Sequence, residues 1–114
     1  MLLELLDPHT VALNYQAKNA EDVIRHLSEM LVAHHYVLDS FADAALRREA
    51  ELPTGLRLSG EIHAAIPHTD IEHVLKPAVA LATLTHPVIF RHMIDPEEKV
   101  PVRLVFLLAL EQPK

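Results

Sequence analysis

Ala78-Val79-Ala80-Leu81-Ala82-Thr83-Leu84 and Val102-Arg103-Leu104-Val105-Phe106-Leu107-Leu108-Ala109-Leu110 are the two stretches on which the architecture turns. Both are nearly continuous in apolar residues, where a strand with one wet face would alternate, so they read as strands covered on both sides. Between them Pro87-Val88-Ile89-Phe90 reads as a short edge segment. Upstream, Leu56, Leu58, Ile62, Ala64 and Ile66 recur with a spacing of two, which predicts extended chain interrupted by a turn at Ser59-Gly60.

Two helices precede these strands. Asn19-Ala20-Glu21-Asp22 places a capping side chain before carboxylates that favour the positive end of a helix dipole. Val23, Leu27, Met30, Leu31 and His34 then follow at steps of three and four, an amphipathic face ending near His34 or His35. A second helix is expected from Asp39 or Ser40 to about Glu51, because Pro53 and Gly55 prevent its continuation. On it Phe41, Ala44, Ala45 and Arg48 share a face, whereas Arg47 is rotated by about 100°. A charged group at the end of an apolar face must find an anion or water, which makes Arg48 the better site candidate.

Strands and helices alternating in this way predict one α/β (α+β) layered domain over residues 1–114, a mixed sheet flanked by helices. The run that closes at Leu110 stops four residues before Lys114. Nothing in the chain is then left to cover one of its faces. The expectation is that a C-terminal helical part is missing, by truncation or because a partner subunit supplies the cover.

The chain has 114 residues, half of them hydrophobic, with a formal charge of −6. Acidic balance and the lack of any basic run argue against nucleic acid as a partner. No apolar run reaches the roughly 18 residues that span a bilayer, and the start is acidic where a signal peptide is basic; membrane insertion is not expected and the reading is cytoplasmic. With no cysteine present, thiolate chemistry is excluded and histidine must carry any nucleophilic step. Two glycines and no Walker loop leave little with which to cradle a nucleotide.

Nine histidines invite a metal hypothesis, yet none lies in an H-E-x-x-H pattern, and neither metal nor cofactor is expected. His9, His26, His86 and His92 read as solvated surface. His68 differs: Pro67 fixes the backbone direction entering it, and Thr69 or Asp70 follows as the cap of a short helix. First-turn N–H groups at such a junction bind anions. Thr69 and Asp70 are accordingly expected to form the helix cap and anion site beside His68. Taken alone, however, a His-Thr-Asp cap is common in proteins that do no chemistry.

Arg48-Glu49-Ala50-Glu51-Leu52-Pro53-Thr54-Gly55-Leu56, then Ala65-Ile66-Pro67-His68-Thr69-Asp70, resembles the IIA components of the phosphoenolpyruvate-dependent sugar phosphotransferase system. The similarity is to the fructose/mannitol-type family and within it to the galactitol-type branch. It continues through His73 to Ala78, Pro87 to Met93 and Val102 to Ala109 and so covers nearly the whole chain.

The resemblance implies that His68 accepts a phosphoryl group from the phosphohistidine carrier protein HPr and passes it to a cysteine of a IIB component for sugar or polyol uptake. It also implies that Arg48 stabilises the phosphate. A regulatory relative sensed through its phosphorylation state would keep the same histidine, and a non-catalytic interaction domain would use His68 only as a cap. Two positions depart from the pattern. His63 stands where many members have glycine, and a further polar position of the family, often histidine, follows the last strand, at or beyond Lys114.

Overall fold

The computed structural model describes residues 5–110, and five strands in it form one mixed sheet. In chain order the elements are β1 (Leu6–Tyr15), α1 (Ala20–Ala33), α2 (Phe41–Glu51), β2 (Gly55–Leu56), β3 (His63–Ala65), a single 3₁₀ turn (Ile71–His73), β4 (Ala78–Arg91) and β5 (Lys99–Ala109). The strand order is β1-β4-β5-β3-β2. β1 runs parallel to β4 and β3 parallel to β5, whereas β4–β5 and β2–β3 are antiparallel. The two apolar runs thus become the middle of the sheet, β4 beside β5.

Both helices form where the sequence places them. The Asn19 side chain accepts the Asp22 N–H at 2.8 Å, and His34 closes α1. Val23, Ile24, Leu27 and Leu31 of α1 are wholly buried and join Phe41 and Ala45 of α2 in the core. They pack against Ala78, Ala80 and Ala82 of β4 and Val105, Leu107 and Ala109 of β5. Alanine at three successive inward positions of β4 leaves room for the bulky side chains of α1, the complementarity that close packing demands.

One expectation is corrected. Pro87 to Phe90 is not a separate edge segment but the continuation of β4, with Val88 to Arg91 paired to β5. At the irregularity Leu84 to Pro87 stand opposite Arg103 alone, and a residue without an N–H fits where the ladder is already broken. The bulge also reverses which β5 residues face the helices, from Val100 and Val102 on one side of it to Val105, Leu107 and Ala109 on the other.

β1 is the element that sequence periodicity misses. Its register against β4 slips twice, and Asn14 has a positive φ of 54°. Side chains replace part of its ladder: Thr10 Oγ1 donates to the Val79 carbonyl at 3.1 Å, and Thr83 Oγ1 accepts the Asn14 N–H at 2.7 Å.

The second face of the sheet is wetter. Leu104, Phe106 and Leu108 alternate with the buried β5 residues and are half-buried, as are Leu81 and Thr83 of β4. Leu13 of β1 is 69% exposed. No helix of the described residues is long and apolar enough to cross a membrane.

Candidate functional site

The site is assembled from the ends of β2, β3 and β5 and the C-terminal turn of α2. After β3 the chain is held from two sides: the Ile66 N–H donates to the Thr54 carbonyl at 3.3 Å, and the Leu108 N–H donates to the Pro67 carbonyl at 2.9 Å. His68 consequently forms an isolated parallel bridge with Leu108. Buried Pro67 needs no donor partner, which suits a residue wedged between two elements.

The ring of His68 is half-buried, with Nδ1 3.0 Å from the Ile66 carbonyl oxygen. A carbonyl only accepts, so Nδ1 carries the hydrogen, and in the neutral ring the lone pair is left on Nε2. Backbone geometry thereby selects one tautomer and one nucleophilic atom.

Arg48 lies half-buried on the last turn of α2, whereas Arg47 is exposed. The helical-face argument therefore separates them correctly. Arg48 Nη1 donates to Asp70 Oδ1 at 2.9 Å, which brings the guanidinium to the loop two residues beyond His68. Its Nε is buried and has no partner among the described residues. Such an unpartnered donor costs about 1–3 kcal/mol. The ion pair, with Asp70 64% exposed, returns only about 0.2–1 kcal/mol. This arginine is thus held in a conformation that leaves part of its hydrogen-bonding capacity unused.

Thr69 and Asp70 do not cap a helix as expected. Only the single 3₁₀ turn Ile71–His73 follows, and Asp70 at its N-cap makes no side-chain cap bond. The carboxylate goes to Arg48 instead. So short a turn accumulates no helix dipole to hold an anion. Thr69 is half-buried and lines, with Arg47, Arg48, Glu51, Asp70 and His73, a cleft of about 220 Å³ between α2 and this loop. His73 Nδ1 shares a hydrogen bond of 2.8 Å with Ser40 Oγ.

Glu49 matters in a way its sequence position does not announce. Its two carboxylate oxygens accept from the Thr54 N–H at 2.8 Å and the Thr54 hydroxyl at 2.7 Å. Burial raises its pKa above the ordinary carboxylate value, opposed by the two Thr54 bonds. This carboxylate ties the end of α2 to the start of β2, and so fixes Arg48 relative to the His68 strand. Gly55 completes the junction: its carbonyl accepts the Met93 N–H at 2.8 Å, and a Cβ there would stand 2.6 Å from the Arg91 carbonyl oxygen.

His63 needs no glycine's freedom, since Gly60 is the residue of the β2–β3 turn with a positive φ. It is buried, and its Nδ1 accepts the Leu58 N–H at 3.0 Å, closing that turn. Three histidines assigned to solvated surface also have structural partners. His9 Nδ1 lies 2.9 Å from Asp7 Oδ1. His26 stacks on Tyr15 with ring centroids 4.2 Å apart, and His92 Nδ1 accepts the N–H groups of Ile94 and Asp95 in the β4–β5 turn.

Fold and site together define an α/β protein that presents, at a strand end, a histidine whose tautomer is set by the backbone, two residues before the carboxylate that holds Arg48. Residues 4–114 match the family model described as "Phosphoenolpyruvate-dependent sugar phosphotransferase system, EIIA 2", and the chain belongs to that family.

It is 37% identical over 94 residues to the galactitol-specific EIIA component of Escherichia coli strain K12, an alignment covering 82% of this chain and 61% of that protein. The chain therefore spans less than two thirds of the length of these relatives. The fructose-specific EIIABC component of Bacillus subtilis strain 168 is 32% identical over 110 residues, 95% of this chain and 16% of that protein. Among solved structures, enzyme IIA for mannitol of Escherichia coli, in complex with phosphorylated enzyme IIB, superposes with a TM-score of 0.73 at 30% identity. That match covers 92% of this chain and 71% of the other.

Proposed function

We propose that this chain is a phosphoryl carrier, accepting phosphate on Nε2 of His68 from the phosphohistidine of HPr and passing it to a cysteine of a IIB component for uptake of a polyol of the galactitol type. The observation that carries this reading is the His68 ring itself, whose Nδ1–H is engaged by the Ile66 carbonyl while Nε2 keeps its lone pair. Family membership supports it, as do the galactitol-specific relative and the mannitol enzyme solved with phosphorylated IIB.

In the chemistry proposed, Nε2 attacks phosphorus as the N–P bond of the donor phosphohistidine breaks, and the donor ring leaves with the bonding pair. Nδ1 keeps its hydrogen throughout, so no general base is required. Phosphoryl transfer of this kind depends on alignment and on stabilising charge spread over three oxygens. Arg48 supplies that stabilisation, and Glu49 holds the helix end that carries it. In the onward step a cysteine thiolate attacks phosphorus, a P–S bond replaces the N–P bond, and the ring returns to its starting tautomer.

The test is incubation with phosphoenolpyruvate, the general phosphotransferase enzyme and HPr, followed by intact mass. One acid-labile phosphate on the wild type and none on a folded His68→Ala variant is the expected result. A phosphate retained by His68→Ala would move the site elsewhere, and loss of that phosphate to water but never to a IIB cysteine would favour a regulatory carrier.

A further inference from the structure

Asp70 stands where a phosphoryl-accepting site should be least acidic. Its carboxylate lies two residues from His68 and is bonded to Arg48 Nη1 at 2.9 Å. The same guanidinium keeps its Nε buried with no partner among the described residues. Both side chains line the cleft between α2 and the His68 loop, and Asp70 reaches it from an exposed position where water can replace Arg48 as its partner.

We propose that Asp70 is a positioning residue that occupies Arg48 until His68 is charged. The proposal rests on the carrier reading above. The two anions compete for one guanidinium. A phosphoryl group offers three acceptor oxygens and nearly twice the charge of a carboxylate, and it can engage the planar donor fork of arginine at more than one point. Once phosphate is on Nε2, Arg48 exchanges Asp70 for it and the orphaned Nε–H gains an acceptor. Breaking the Asp70 contact is then part of the cost of charging His68, so Asp70 lowers the affinity of the site for phosphate and makes the phosphorylated form a readier donor. No covalent step is added; only the partner of Arg48 changes.

The test is a double-mutant cycle on the phosphorylation equilibrium with HPr, read as the ratio of charged to uncharged chain at fixed phospho-HPr. Asp70→Asn should raise that ratio about two- to fivefold, the scale of a partly exposed ion pair. Asp70→Glu, which keeps the charge, should restore most of the wild-type value. In an Arg48→Ala background Asp70→Asn should change nothing. A persistent increase in that background would show that Asp70 acts by its field on the phosphate and not through Arg48, overturning the proposal. No change in the wild-type background would overturn it as well, while charging of the wild type itself would leave the carrier reading standing. A wild type that never takes up phosphate would sink both.

As a readout that does not depend on turnover, the Arg48 Nε–Hε resonance should shift on phosphorylation of wild type. Asp70→Asn should move the uncharged spectrum toward that position; an unmoved resonance in both cases would contradict the exchange.

Discussion

At the scale of single residues, the site is read through which hydrogen bonds are made and which are not. The carbonyl of Ile66 decides the tautomer of His68, and Asp70 decides where Arg48 rests. Arg48→Ala should slow phosphoryl transfer about a hundredfold, as expected for loss of a donor aimed at developing charge. Arg47→Ala, an exposed neighbour on the same helix, should slow it less than about fivefold. Equal losses in single-turnover rates would refute the assignment. The distinction between these arginines is legible in the sequence because the 100° turn per residue is local. The partner of Arg48 is not, since Asp70 lies on a different element and meets it only after folding. Nor does the sequence single out Glu49, because its bonds to Thr54 depend on how α2 turns into β2.

Elements explain where the reading of the chain stopped. α1 and α2 follow from caps and periodicity, and the capping bond of Asn19 forms as its position suggests. β1 stayed hidden because slips in its register break the alternation that would announce a strand. Its anchor is Asp7, whose carboxylate accepts the His9 N–H and the Tyr36 hydroxyl, each at 2.8 Å. The His9 backbone N–H first, then the Tyr36 hydroxyl, lower the Asp7 pKa to about 2 from 3.8.

A group held below its unfolded value stabilises the fold above that value and stops doing so as pH falls through the folded one. The contribution of Asp7 should therefore be intact above pH 3.8 and fade toward pH 2. Asp7→Asn should flatten the fall in stability over that window in urea titrations; an unchanged acid limb would count against the linkage. At the β2 junction, Gly55→Ala drives a methyl into the Arg91 carbonyl. Such overpacking should cost about 1–3 kcal/mol, measured as a lower urea midpoint.

For the whole molecule, the sheet presents two unlike faces. One is sealed by α1 and α2, with Leu107 wholly buried; the other carries Phe106 only half-buried. Leu107→Ala should cost about 2–5 kcal/mol. Phe106→Ala should cost less, because part of that ring is already in water, and chemical denaturation of both variants at equal m-value decides it. The continuous apolar run of β5 predicts a strand buried on both faces, and the structure instead alternates buried and half-buried residues along it.

All these features converge on one atom. The central claim is tested most directly by nitrogen-15 histidine spectra of the full chain after charging with phospho-HPr. Phosphorus coupled to Nε2 of His68, with Nδ1 still protonated, is the predicted result. Phosphate on Nδ1, or on any other histidine, would contradict the account.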